Sequence, residues 1–204
     1  MLEDSDMMKL LSKIWLKSSF LFYPVQRIFN GNFWVIFSKH FGDFSGKTVL
    51  DLACGTGDLR RYIKPKTYIG VDINLPYIQK AQKIYHQNNT TFLNKDITKF
   101  TPSIKFDVIF LVGSAHHLSD EQLMKTLKLV KRCRPSQFIL CDGYPRGFLK
   151  GLLWWLDDVL GGGKYFRGEK ELLRFVKKEF KEASCGVLYA NWSLYKYPYV
   201  YIES

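Results

Sequence analysis

The sequence predicts an α/β fold: a doubly wound, mostly parallel β-sheet with helices on both faces. From residue 47 to about residue 180, short apolar runs alternate with amphipathic helical stretches, which is typical of such a sheet. The segment 195–202 carries aromatic and β-branched residues with no helix after it, and predicts a terminal antiparallel strand. A chain of 204 residues that is 47% hydrophobic can bury a full core as one domain.

Most of the expected strands and helices alternate along the chain. Strands are predicted near 48–52, 67–71, 91–95, 106–112 and 137–141, and helices near 58–64, 76–87, 119–133, 148–160 and 169–180. The helix near 119–133 has the clearest start, because Ser119 is a capping residue and acidic residues follow it. After residue 186 the final strands are expected to pair as a hairpin.

The N-terminal 46 residues are predicted to form a helical extension to a main domain at 47–204. Residues 7–41 are rich in aromatics at helical spacing, which favours packing on the core and covering a sheet edge. The alternative is a lid over a flat or lipid-like substrate. Charged residues interrupt both of the most apolar stretches, 20–41 and 148–160, so neither predicts a membrane-spanning helix.

Composition says more about the cellular location than about the binding partner. The net charge of +11, from 30 Lys and Arg against 19 Asp and Glu, suits nucleic acid, an anionic membrane surface or an acidic substrate. The cysteines (Cys54, Cys133, Cys141 and Cys185) lack metal-ligand spacing, so no metal site is expected. The N-terminal residues are acidic and lack the pattern of a signal sequence. Together with the unpaired cysteines, they predict a reducing, cytoplasmic location.

A glycine turn after the first strand predicts a ligand site. The run 49–59 passes from a buried strand through Gly55 and Gly57 into a helix-compatible stretch, so the free N–H groups of the helix start face a ligand. A dinucleotide turn would carry a third glycine where Arg60 stands, which argues against a dinucleotide. Ala53 occupies the place of an earlier glycine, and is expected to narrow the turn.

Acidic residues end the next two strands. Asp72 ends the second strand, where a carboxylate can accept hydrogen bonds from ribose hydroxyls. Asp96 ends the third, where it can accept from an adenine amino group while Ile97 packs on the ring; the alternative is a capped surface turn. The fourth strand, 106–112, leads into His116 and His117 at the same edge.

Taken in order, these signals resemble the class I S-adenosylmethionine-dependent methyltransferases over residues 47–142. The resemblance implies a Rossmann-like fold, with S-adenosylmethionine as methyl donor. In that family the glycine turn holds the methionine end, the second-strand acid holds the ribose and the third-strand acid meets the adenine. The implied cofactor-binding residues are Asp51, Ala53, Gly55, Gly57, Asp72, Ile73, Asp96, Ile97 and Val112.

The residues after the fourth strand indicate the type of acceptor. Residues 112–115 differ from the Asn/Asp-Pro-Pro-Tyr/Phe pattern of enzymes that methylate planar amino groups, so that chemistry is disfavoured. The sequence at 116–118 is similar to small-molecule methyltransferases, including the ubiquinone and menaquinone biosynthesis type. Histidine titrates near neutrality, so His116 or His117 is a candidate general base; the alternative is that both brace the loop.

The segment 143–168 is expected to line the substrate pocket. Asp142 ends the fifth strand and either orients substrate or caps the next helix. A basic and aromatic loop follows at 161–168 and suits an anionic or phenolic substrate, unless it is a plain connection between helices. The candidate substrate-binding residues are Asp142, Tyr144, Lys164, Tyr165 and Arg167.

These observations favour methyl transfer to a small molecule, on oxygen or on a carbon of an activated ring. The charge of +11 keeps an RNA or protein methyltransferase as an alternative, although the basic residues lie on helices whose opposite sides are apolar. A non-catalytic subunit that only binds S-adenosylmethionine is a further alternative. Nothing in the sequence predicts the oligomeric state.

Overall fold

The structure, a computed structural model, describes residues 30–147, 150–156 and 163–203. The strands are β1 (Thr48–Leu52), β2 (Thr67–Asp72), β3 (Thr90–Asn94), β4 (Val108–Val112), β5 (Gln137–Cys141), β6 (Tyr144–Pro145), β7 (Ser184–Tyr189) and β8 (Tyr195–Glu203). The helices are α1 (Phe33–Phe41), α2 (Leu75–Ile84), α3 (Asp120–Cys133), α4 (Lys150–Leu156) and α5 (Glu169–Lys177). Short 3-10 helices lie at Asp58–Arg61 and Ala115–His117.

In this part of the chain the strands form one sheet that is parallel except at one end. Strands β3, β2, β1, β4 and β5 are parallel neighbours in that order. Strand β8 runs antiparallel to β5 and β6 along one edge and to β7 along the other. The prediction of a mostly parallel sheet with a terminal antiparallel hairpin is confirmed. The order also reverses between β1 and β4, which is where open α/β sheets bind ligands.

Both faces of the sheet are buried, because successive side chains of a strand point to opposite faces. On β4, Ile109 and Leu111 join the cluster that contains the apolar faces of α3 and α5. Val108 and Phe110 join the other cluster, with α1 and α2. The Phe110 side chain is fully buried, and burial of a side chain of this size contributes about 1.5–3 kcal/mol.

The helix expected at 58–64 is only a short 3-10 helix, Asp58–Arg61. The Arg60 side chain holds the segment that follows this short helix. Its Nε donates to Thr90 Oγ1 at 2.8 Å and its Nη1 donates to the Ile63 carbonyl at 3.0 Å. Arg60 thus ties the segment after the glycine turn to edge strand β3. The predicted helices near 76–87 and 169–180 are present, and end at Ile84 and Lys177.

Helix α1 packs on the sheet rather than standing away from it. Phe33 and Phe37 are buried, and the Phe33 ring stacks on Tyr197 of β8 at 4.1 Å between centroids. This part of the expected extension therefore covers the core, while residues 7–29 of that prediction lie outside the described residues. The division at 46/47 stays a prediction. No helix of the described residues combines the length and apolar character that crossing a membrane requires.

Candidate active site

The turn between β1 and the first 3-10 helix is built from residues with positive φ. Gly57 has a φ of 79°, and a Cβ there would lie 2.8 Å from the Phe92 ring, so no larger residue fits without displacing that ring. Gly55 has a φ of 54°, yet nothing lies within 4 Å of where its Cβ would be. One glycine is therefore required by packing, and the other leaves open space beside the turn.

Ala53 shares this left-handed geometry, with a φ of 56°. A non-glycine residue in that region costs about 1–2 kcal/mol, because its Cβ approaches the following carbonyl oxygen. The backbone at residue 53 therefore has a conformation that favours glycine, and the alanine found there is strained. Whether it narrows the approach to a ligand stays a prediction.

Asp72 connects the end of β2 to the glycine turn. Its Oδ2 accepts from the Gly55 N–H at 2.8 Å and its Oδ1 from the Asn74 N–H at 2.7 Å. Burial raises the pKa of Asp72, while these backbone hydrogen bonds act against the shift. Ile73, the next residue, is 72% exposed and offers an apolar surface beside the carboxylate. The predicted ribose acid thus lies next to the predicted methionine turn.

Asp51 is a second buried carboxylate at this turn. The Tyr68 hydroxyl donates a hydrogen bond to its Oδ2. Burial raises the pKa of Asp51 to about 7 despite that hydrogen bond, and the charges of Asp72 and Asp58 act in the same direction as burial. A cation bound beside these carboxylates would favour the ionised form of Asp51.

The end of β3 lies beside the end of β2. Asn94 Nδ2 donates to the carbonyl of Asp72 at 3.0 Å, which holds the two strand ends together. Asp96 Oδ1 accepts from the hydroxyl and the N–H of Thr98, and these hydrogen bonds lower the pKa of Asp96. Ile97 is only 6% exposed and belongs mainly to the core, so little of its surface can meet an adenine ring.

Strand β4 ends at Val112, which is 8% exposed, and is followed by a buried residue that sequence reasoning did not select. Ser114 is 6% exposed, and its hydroxyl has no hydrogen-bond partner among the described residues. Buried hydroxyls normally have a partner, so an exception at a strand end is a candidate ligand contact. Its position in the segment 112–115, at the carboxyl edge of the sheet, could have marked Ser114 as a candidate from the sequence.

His116 and Asp142 form a buried pair. The Nδ1 atom of His116 lies 2.7 Å from Asp142 Oδ1, and the His116 backbone N–H donates to Asp142 Oδ2 at 2.6 Å. Asp142 Oδ1 also accepts from the Gly143 N–H at 2.9 Å. Among the described residues, the carboxylate oxygens of Asp142 contact His116 and Gly143 and no N–H group of the next helix, an arrangement that suits orientation of the imidazole. Asp142 was expected to orient a substrate or cap a helix.

The two histidines differ in their surroundings. His117 is exposed, whereas His116 is 8% exposed and pairs with the carboxylate. Their rings lie 4.0 Å apart between centroids. Sequence reasoning left both as candidate bases, and the geometry favours His116.

Arg167 lies inside the protein, although it was expected to contact substrate. It is 4% exposed; Nη1 donates to the carbonyl of Ala115 at 3.0 Å and Nη2 to the carbonyl of Leu118 at 2.9 Å. Nη2 also pairs with Asp120 at 2.6 Å, at the start of α3. These contacts fix the loop that carries His116, so the guanidinium does not fit the expected role in substrate contact.

The residues before Arg167 bind the same loop through their backbone. The N–H groups of Lys164 and Tyr165 donate to the His116 carbonyl at 3.0 and 2.9 Å. Both side chains are exposed, so their predicted contact with substrate stays a prediction. The Phe166 ring stacks on His116 at 5.0 Å with an interplanar angle of 6°. Tyr144, the remaining candidate, accepts a hydrogen bond from Lys150 at 3.0 Å.

Comparison with known proteins agrees with this arrangement. Residues 49–135 match the family described as "Methyltransferase domain". A search of curated protein sequences found no significant match.

Solved structures share the fold at low identity. A SAM dependent methyltransferase from Archaeoglobus fulgidus gives a TM-score of 0.70 at 14% identity, over 90% of this chain and 99% of that one. The DhpI-SAH complex gives 0.68 at 17% identity, over 95% of each chain. Magnesium protoporphyrin IX methyltransferase (ChlM) from Synechocystis PCC 6803, with bound SAH, gives 0.59 at 17% identity, over 83% of this chain and 80% of that one.

The Rossmann-like fold implied by the sequence motifs is thereby confirmed, and two of the neighbours that share it were solved with SAH bound. The narrower similarity to the ubiquinone and menaquinone group stays a prediction. Over residues 49–135 the chain matches a methyltransferase domain, and it shares the fold of solved S-adenosylmethionine-dependent methyltransferases.

Proposed function

We propose that the protein methylates a small molecule, on oxygen or on a carbon of an activated ring, with His116 as the general base. The pairing of His116 with the buried Asp142, at the edge where β4 and β5 end, carries this proposal. A base at this position suits an acceptor that must lose a proton as it is methylated. The site residues expected for the cofactor lie at the same edge.

The residues around the glycine turn fit S-adenosylmethionine. The space beside Gly55 is open, and the buried Ser114 hydroxyl has no partner within the described chain. The carboxylates of Asp51 and Asp72 suit a ligand that carries a sulfonium and an ammonium group. When bound, the sulfonium supplies an activated methyl group.

Three of the expected cofactor contacts, at Asp72, Ile73 and Asp96, have a physical basis. Asp72 uses one lone pair of each oxygen on the backbone, and its remaining lone pairs are acceptors for the ribose hydroxyls. The exposed Ile73 side chain gives apolar contact to the nucleoside, and Asp96 accepts from the adenine amino group. Ser114 supplies a hydroxyl near the end of β4.

His116 acts through its second ring nitrogen. Asp142 accepts from the Nδ1–H, which fixes the tautomer in which Nε2 is the basic nitrogen. Nε2 would accept the proton of an acceptor hydroxyl as that hydroxyl takes the methyl group from the bound donor. The hydrogen bond from Nδ1–H to Asp142 stabilises the imidazolium that results.

An RNA acceptor is the second candidate, favoured by the net charge of +11. Purified protein and labelled S-adenosylmethionine are incubated with a cell extract, which is then divided into metabolite, RNA and protein fractions. We expect label in the metabolite fraction. Label confined to RNA would favour the second candidate.

Variants test the role of the base in the same assay. We expect His116→Gln to lower transfer by about 10²–10⁴-fold, the usual contribution of general base catalysis, while S-adenosylhomocysteine binds as it does to the unaltered protein. His86→Gln removes an exposed histidine outside the site and serves as the matched control. Transfer at the control rate in His116→Gln contradicts the assignment of the base.

A further inference from the structure

Aromatic rings form a stacked row that begins at His116. Phe166 stacks on His116, and Trp154 of α4 stacks on Phe166 at 5.8 Å with an interplanar angle of 15°. Tyr144 meets Trp154 edge-on at 6.0 Å. Trp154 is 36% exposed, so part of this row is accessible to a ligand.

The ammonium group of Lys150 lies at the far end of the row. It is 4.4 Å from the centre of the Trp154 ring and 4.8 Å from that of Tyr144, and it donates a hydrogen bond to the Tyr144 hydroxyl. Lys196 also lies over Tyr144, at 5.2 Å, but it pairs with Glu169 at 3.3 Å. Within the described chain, no carboxylate forms an ion pair with Lys150.

Among the described residues, this arrangement leaves hydrogen-bonding capacity at the Lys150 ammonium group. An ammonium group has three donors, and Tyr144 accepts from one of them. Aromatic faces attract a cation without neutralising its charge. Lys150 is half-buried, and an anion there would meet both a partly desolvated charge and unused donors.

We propose that Lys150 binds a carboxylate on a planar aromatic acceptor, which lies against the edges of the stacked rings from Trp154 towards His116. The inference rests on the proposed function, since it places the reacting atom of the acceptor beside His116. The rings supply contact for a flat molecule, and Lys150 selects those that carry an acidic group away from the reacting atom. A lysine that only covers apolar surface with its methylene chain would give no such selectivity.

Calorimetry with a matched pair of probes tests the inference. The protein is saturated with S-adenosylhomocysteine and titrated with 2-naphthoate, and separately with the neutral 2-naphthamide. We expect 2-naphthoate to bind about tenfold more tightly than the amide, the usual contribution of a charge-assisted hydrogen bond. We expect Lys150→Met to remove this preference while it leaves the affinity for 2-naphthamide unchanged.

Control variants separate a specific site from the overall positive charge. Lys83→Met removes the same charge from the exposed end of α2 and is expected to keep the tenfold preference, as is the charge-conserving Lys150→Arg. Equal affinity for both probes, or an unchanged preference in Lys150→Met, overturns the inference. Failure to bind S-adenosylhomocysteine in the first step contradicts the proposed function instead.

Discussion

The two sides of the site are held together in different ways. On the cofactor side, Asp72 reaches Gly55 across the adjacent ends of β2 and β1, and the turn is shaped by its own backbone. On the acceptor side, Asp142 reaches His116 across 26 residues, and Arg167 reaches Ala115 across 52. The cofactor side therefore follows from strands and a turn that are near in sequence. The acceptor side depends on side chains far along the chain that hold the His116 loop in place.

The strongest test of this difference is Arg167→Ala. Removing the guanidinium leaves the carbonyls of Ala115 and Leu118 without their donor, and we expect the free energy of unfolding to fall by about 3–5 kcal/mol. Urea unfolding measures the loss. Arg174→Ala, at an exposed position of α5, is the control and should change stability by less than about 0.5 kcal/mol. Equal losses would mean that Arg167 does not hold the loop.

Sequence reasoning succeeded where local pattern determines structure. The glycine turn and Asp72 were predicted because a strand, a turn and a strand-end acid place them at one edge in any parallel sheet. The partners of His116 and Arg167 were not predicted. An arginine before a helix has the same local sequence whether it faces solvent or a buried carbonyl. The register that aligns Val112 with Cys141 brings Asp142 to the histidine loop, and only the strand pairing shows that register.

On the cofactor side, Asp72→Asn gives the next largest effect. The amide keeps the shape but replaces one acceptor with a donor, so it cannot serve both Gly55 and the ribose. We expect the affinity for S-adenosylhomocysteine to fall by about 1–3 kcal/mol, measured by calorimetry. Asp107→Asn is the control. It removes a carboxylate that also accepts a backbone hydrogen bond, from the Thr48 N–H, but at the opposite end of β1. Unchanged affinity in Asp72→Asn would place the ribose elsewhere.

Asp51 predicts a pH dependence on the same side. Its pKa in the folded protein is about 7, above the ordinary value of 3.8, so between about pH 4 and 7 the folded state holds a proton that the unfolded chain has released. The contribution of Asp51 to stability therefore falls as pH rises through this window. Unfolding of Asp51→Asn, compared with the unaltered protein across the window, isolates that contribution.

Cofactor affinity should vary with pH in the opposite sense. S-adenosylmethionine carries positive charge and favours ionised Asp51, so its affinity should weaken by up to about tenfold for each pH unit below 7. Calorimetry between pH 5.5 and 8 measures how the affinity changes with pH, because this range brackets the Asp51 pKa of about 7. Asp51→Asn should flatten this dependence, since any slope that remains in that variant belongs to other groups or to the ligand.

The smallest expected effect concerns Ala53, the departure from the glycine expected in the turn. Its φ of 56° strains an alanine but suits a glycine, so Ala53→Gly relieves about 1–2 kcal/mol of strain and loses part of this to the freer unfolded chain. We expect a net gain of about 0.5–1 kcal/mol in urea unfolding. Gly55→Ala at a φ of 54° is the reverse change and should destabilise by a similar amount, because its Cβ would meet open space and strain alone would act. If Ala53→Gly also leaves cofactor affinity unchanged, the substitution affects only backbone strain, and the turn approaches its ligand as closely with alanine as with glycine.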